Sequence, residues 1–241
     1  MAKQMLAAGQ LGRCRLRLQN DARALEAAAS DRLQVVVLKF GNLVRRIDVT
    51  LPDVRTGFFH LARKQVTVHP SRVEAQICPN AGNAFAYPLG APMVMVFFPE
   101  LADDEQPWLS GMWWIAGKRT AKQPDGQVQE MLADMADMMD AALQRFDGKG
   151  VGIPCLWRQG EWNWERDLLF VVDQLHRLLT DPGQYSPRDA LNPKAAYHWA
   201  AHKDELPLEP PLAEIGKNRG GKKTSQGRQG RFRGLKLVRL E

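Results

Sequence analysis

Gly152-Ile153-Pro154-Cys155-Leu156, then Glu161-Trp162, then Leu168 to Leu179, then Asp181-Pro182, Ser186-Pro187 and Asn192-Pro193-Lys194-Ala195-Ala196-Tyr197 is the stretch that decides the fold. Its first part is a short apolar run closed by a cysteine. Behind it, Leu168, Leu169, Val172, Leu175, Leu178 and Leu179 recur at helical spacing, which predicts a helix from about Trp164 to Thr180 with those residues inward. Asp181-Pro182-Gly183 stops it. A shorter helix from Pro193 to about Lys203 opens on proline, whose missing N–H costs nothing in a first turn.

Upstream, the period changes. Leu11, Cys14, Leu16, Leu18, Ala22, Leu25 and Ala28 suit a helix over 11–30, ending near Ser30-Asp31. Leu33 to Phe40 is rich in β-branched residues, Gly41-Asn42 reads as a turn, and Val44 to Leu51 reads as a second strand stopped at Pro52. Further strands are expected at Gln65 to His69, Arg72 to Ile77, Met93 to Phe98 and Met112 to Ala116. From Val128 to Phe146 the apolar positions return to helical spacing, with Glu130, Asp134, Asp137 and Asp140 opposite. Its methionines suit either a core face or a malleable partner groove. The whole order is α+β: an N-terminal helix, an antiparallel β-meander, then C-terminal helices packed on the sheet.

Composition narrows the function classes. The 241 residues are 44% hydrophobic and 25% charged, ordinary for a globular protein. No apolar run reaches the roughly 18–20 residues that cross a bilayer, and residues 1–10 lack a secretory pattern. Cys14, Cys78 and Cys155 are too widely spaced for a disulfide framework or a zinc site, so reduced thiols in a cytoplasm are expected. The net charge of +6 is uneven: residues 216–241 carry nine Lys/Arg and one acid, net +8, which leaves −2 on the body. The expected organisation is one domain over 1–206, a Pro-rich linker over 207–215, and a basic, disordered tail over 216–241.

The order and spacing from Cys155 onward resemble the second half of a ubiquitin-conjugating (E2-type) domain, over about a quarter of the chain. The shared words are the active cysteine, a following Leu, a Trp ahead of the long helix, a Leu-Leu pair, Asp-Pro, and a final Ala-Ala helix. The resemblance implies that Cys155 accepts the C-terminal glycine of a ubiquitin-like protein from an E1 thioester and passes it to an amine. It implies that Ser186, before Pro187, orients the incoming amine, and that Trp162 buttresses the active loop. It further implies an E1/ThiF-like activating enzyme and a ubiquitin-like protein as partners, in a bacterial mobile-element or antiphage defence operon, often with a deubiquitinase-like metalloprotease. No cofactor or metal is expected; the chain has no phosphate-binding glycine loop, and the E1 supplies the ATP chemistry.

The chain departs from the family in three places. The His-Pro-Asn usual shortly before the cysteine is absent, since 141–153 contains neither His nor Asn. Pro154 precedes Cys155 directly, and the helix at 128–146 stands where eukaryotic members have strand and loop. These departures point to a divergent prokaryotic E2 or to an inactive E2-fold binding module.

Other residues carry weaker signals. Cys78, in Ile77-Cys78-Pro79-Asn80, is a rival thiol without the helix pattern behind it, and Cys14 lies on a helix. His176 reads as a partly exposed helix residue, and His198 and His202 lack a third ligand. Glu161, Glu165 and Asp167 disfavour a charged thiolate nearby, which argues against a protease-type Cys–His pair. Trp108, Trp113 and Trp114 flank a strand as core or as a contact edge. The tail suits a solubilising extension, an acidic patch on a partner, or phosphates. The last makes a nucleic-acid-binding accessory protein of a mobile element the alternative function.

Overall fold

A computed structural model describes residues 8–60, 62–79, 87–98, 105–107, 112–116, 119–120, 151–157, 161–181, 186, 188, 190, 193–202 and 204. The helix expected at 128–146, the linker 207–215 and the tail 216–241 lie outside these residues.

Helix α1 spans Ala8–Ala27, starting and ending about three residues before the sequence expectation. Cys14, Leu18, Ala22 and Leu25 bury one stripe at steps of four and three. The chain turns back through Ser30 and Leu33, whose main chains bond reciprocally. Strand β1 follows at Gln34–Phe40, then Gly41 with φ +58°, a conformation open to glycine, then β2 at Leu43–His60.

Two prolines expected to end strands do not. β2 runs 18 residues through Pro52, and β3, Gln65–Cys78, runs through Pro70 where two strands were expected. Proline cannot donate to a ladder, so it is tolerated at bulges and unpaired flanks. The β2–β3 register shifts between Leu51 and Val54, and β1 pairing stops at Thr50, so Pro52 sits in a bulge beyond β1. Pro70 faces Arg55 on β2, while β4 pairs β3 only over Glu74 to Cys78. Tertiary placement thus removes the demand for each missing N–H.

β4 is Met93–Phe97, β5 Glu105–Pro107, β6 Met112–Ala116, β7 Arg119–Thr120 and β8 Val151–Pro154. Among the described residues these strands form one antiparallel eight-stranded sheet, ordered β1-β2-β3-β4-β8-β6-β7, with β5 beside the far end of β2. The meander therefore holds only for β1 to β4. The late strand β8 inserts between β4 and β6, pairing Val96 with Gly152 on one side and Trp113 with Ile153 on the other. Long-range pairing of this kind leaves no local mark in the sequence.

Helix α2 is Leu168–Thr180. It starts four residues later than the expected Trp164 because Asp167 caps it, its Oδ1 accepting the Phe170 N–H at 2.8 Å. Such a cap contributes about 1 kcal/mol. The buried stripe is Leu168, Val171, Val172, Leu175, Leu178 and Leu179; Leu169, expected inward, is 37% exposed. The 3.6-residue period puts Val171 on the stripe and turns Leu169 off it. Helix α3, Pro193–His202, buries Ala196 and Trp199.

The core lies between one sheet face and the helices. Ile47, Val49 and Leu51 of β2, Val73, Ala75 and Ile77 of β3, and Val94 and Val96 of β4 meet the stripes of α1 and α2. Thr56 Oγ1 donates to Leu179 O at 2.8 Å, pinning the end of α2 to β2. The architecture is thus α+β, with an N-terminal helix, an antiparallel sheet and C-terminal helices packed on it. Among the described residues no helix is long and apolar enough to cross a membrane.

Candidate functional site: the Cys155 loop

Cys155 is the first residue past β8, and so stands at the end of a strand inside the sheet. Pro154 pairs with Met112 of β6 and ends the strand. Leu156 is buried in the core, and Cys155 beside it is half-buried. The Cys155 thiol donates to Trp157 O at 3.4 Å.

Trp157 and Trp162 pack with ring centroids 5.0 Å apart and planes at 55°. The Trp162 Nε1–H donates to Pro88 O at 2.8 Å, satisfying the one polar atom of its side chain. On its other side Trp162 meets Tyr87 at 5.9 Å. Trp162 thus packs against Trp157, two residues past Cys155, on one side and Tyr87 on the other.

Tyr87, 1% exposed, donates its hydroxyl to Asp21 Oδ2 at 2.5 Å. The same oxygen receives Arg17 Nε at 2.6 Å. Burial, together with the adjacent Asp21 carboxylate, pushes the Tyr87 phenol far up, so it remains a donor. Burial works to lower the Arg17 pKa, but the hydrogen bond and charge of Asp21 reverse this and raise it.

Ser186 is exposed, and its Oγ accepts the Arg188 N–H at 3.3 Å, engaging the hydroxyl in its own turn. Cys78 is 1% exposed; burial pushes its thiol up to about 12 against the opposing charge of Arg46. Burial likewise raises Cys14, which Arg13 opposes. His176, expected to be partly exposed, is instead 1% exposed inside α2. The His198 and His202 rings lie 4.4 Å apart, and among the described residues no group of three His, Cys, Asp or Glu could hold a metal. Trp113 and Trp114 belong to β6, beside β8, whereas Trp108 lies outside the described residues. A concavity of about 270 Å³ between Val36 and Phe97 includes no residue of the Cys155 loop.

Sequence reasoning missed Tyr87, Pro88, Asp21 and Trp157. One signal was available: Asp21 interrupts the inward stripe of α1 between Leu18 and Leu25, and a carboxylate there requires a buried partner.

The three thiols differ enough to be told apart chemically. Iodoacetamide at pH 8 is expected to modify Cys155 alone in the folded chain. Cys14 and Cys78 are buried, and burial pushes both thiols up, Cys78 to about 12, so they should react only in denaturant. Peptide mass mapping before and after unfolding checks this; early label on Cys78 would contradict it. When the chain is compared with protein-family models, curated proteins and solved structures, none matches it.

Proposed function

We propose that this chain is an E2-like enzyme that carries a ubiquitin-like modifier on Cys155 and transfers it to an amine. The observation that carries the reading is the setting of Cys155: a half-buried thiol past the end of a central strand, in a loop where Trp157 and Trp162 pack together, ahead of the helix packed on the sheet. The E2 resemblance, which covers the same residues, gives that setting its chemical meaning. Cys14 and Cys78 lack the exposure a carrier needs.

The exchange balances with thiols alone. Cys155 Sγ attacks the carbonyl carbon of the modifier's C-terminal glycine on the E1 thioester. A new C–S bond forms, the old one breaks, and the E1 cysteine leaves with the proton. A substrate amine then attacks the same carbon, an amide forms, and Cys155 regains its proton. A thioester needs little activation, so the site has only to expose sulfur, hold the donor tail and stabilise an oxyanion. Ser186 retains the amine-orienting role that the resemblance implies. An E1/ThiF-like enzyme and a ubiquitin-like protein are the partners this chemistry requires.

The test is reconstitution with neighbouring E1-like and ubiquitin-like proteins and ATP, read on a non-reducing gel. A shifted band that thiols remove, and that Cys155→Ala lacks, supports the reading. The same band persisting in Cys155→Ala defeats the assignment of the nucleophile. The alternative of a nucleic-acid-binding accessory protein rests on the nine cations of 216–241. It predicts salt-sensitive DNA binding that is lost on deleting them.

A further inference from the structure

We propose that Asp21, on α1, is a positioning residue for the Cys155 loop, acting through Tyr87 and Trp162. The inference rests on the reading of Cys155 as the acyl carrier and deepens it, because it assigns control of the thiol to a helix far away in sequence.

The connection is continuous. Asp21 Oδ2 holds the Tyr87 hydroxyl at 2.5 Å, and Tyr87 lies against Trp162 at 5.9 Å. Trp162 is tied to Pro88 O at 2.8 Å and packs on Trp157 at 5.0 Å. The carbonyl of Trp157 receives the Cys155 thiol at 3.4 Å. Both ends of the Tyr87-Pro88 dipeptide are thus used: its phenol reads α1, and its carbonyl fixes Trp162.

The strongest bond in the chain is the first. A phenol donating to a carboxylate is a charge-assisted hydrogen bond, about twice as strong as a neutral one. Tyr87 is 1% exposed and Asp21 9%, so water has little access to the bond. Arg17, one turn earlier, holds the same Asp21 oxygen at 2.6 Å and helps orient the carboxylate toward Tyr87. Leu18, Ala22 and Leu25 anchor the helix beneath it.

The cysteine end is weaker. A thiol is a poor donor and 3.4 Å is a long reach, so the Sγ–Trp157 contact depends on where Trp157 is held. Trp157 and Trp162 are only partly buried, and they pack against the core from its margin. A margin element of this kind opens at low cost unless something fixed braces it. The Asp21–Tyr87 bond supplies the brace.

The test uses Tyr87→Phe in the full chain, which keeps the ring against Trp162 and removes only the bond to Asp21. The readout is the alkylation rate of Cys155 by iodoacetamide, followed by peptide mapping and requiring no modifier or E1. Freed of its brace, the thiol is expected to react at least about three-fold faster, with Cys14 and Cys78 still unreactive. Thr56→Val is the control: it deletes a buried hydrogen bond at the other end of α2 and should leave the Cys155 rate unchanged. Asp21→Asn, which keeps an oxygen for the phenol, should lie closer to the parent than Asp21→Ala.

Equal acceleration in Tyr87→Phe and Thr56→Val would reduce the effect to general loosening and overturn the proposal. An unchanged rate in Tyr87→Phe would overturn it as well. Should Tyr87→Phe fail to fold, the Asp21→Asn and Asp21→Ala pair decides by the same rate. If alkylation shifts as expected but no thioester ever forms, the positioning stands and the carrier reading falls. If the thioester forms while alkylation is indifferent to Tyr87→Phe, the reverse holds.

Discussion

Under the proposed carrier function, Cys155→Ser is expected to replace a thiol-sensitive conjugate with one that thiols leave intact and alkali cleaves. The serine hydroxyl would stand in place of the sulfur past the end of β8, leaving the proposed seat of the modifier tail otherwise unchanged. A hydroxyl is far less ionised than a thiol near neutral pH, so the ester should form slowly. It should then persist, because an alkoxide is a much poorer leaving group than a thiolate when the amine attacks. Discharge to free lysine should fall by a factor on the order of 100 or more, an increase in barrier of about 2.7 kcal/mol. Parallel gels with reducing agent, with alkali, and with lysine separate the three effects. A band that thiols still remove in Cys155→Ser would place the acyl group on another cysteine.

Leu175→Ala is expected to cost about 3–5 kcal/mol of stability, the range for a large buried aliphatic side chain removed from a packed core. Leu175 is 0% exposed at the centre of α2, in the cluster where that helix meets the sheet. Neither α2 nor the strands beneath it can collapse into the space without breaking main-chain ladders. Leu169→Ala on the same helix is the matched comparison. With 37% of its surface already in water, Leu169 should cost under about 1.5 kcal/mol. Urea unfolding of both variants measures the difference, with an unchanged slope expected for each. Equal costs would mean that α2 does not present the face described for it.

Helices α1, α2 and α3 and strands β1 to β4 and β6 were legible because each carries its own local signal, a period in the helices and apolar or β-branched runs bounded by turn residues in the strands. Cys14, Leu18, Ala22 and Leu25 can share a side only on a helix, and the long run of leucines from Leu168 reads the same way. Their limits were less legible. Asp167 shortened α2 by acting as its cap, and Pro52 and Pro70 were crossed rather than obeyed. A proline ends a strand only where a neighbour demands its N–H, and the neighbour belongs to another part of the chain.

Cys155 shows the same division. The sequence by itself determined that a cysteine stands between a short apolar run and an amphipathic helix, with Trp162 between them. Local periodicity and the spacing of a few residue types carry that much, since both are properties of neighbours along the chain. Only the tertiary structure decided that β8 enters the middle of the sheet and that Cys78 is buried while Cys155 is half-buried. It alone decided that Asp21, Tyr87 and Trp162 meet. Asp21 and Tyr87 are 66 residues apart. Their bond depends on how α1 and the segment before β4 come to share one side of the sheet, which is a property of packing.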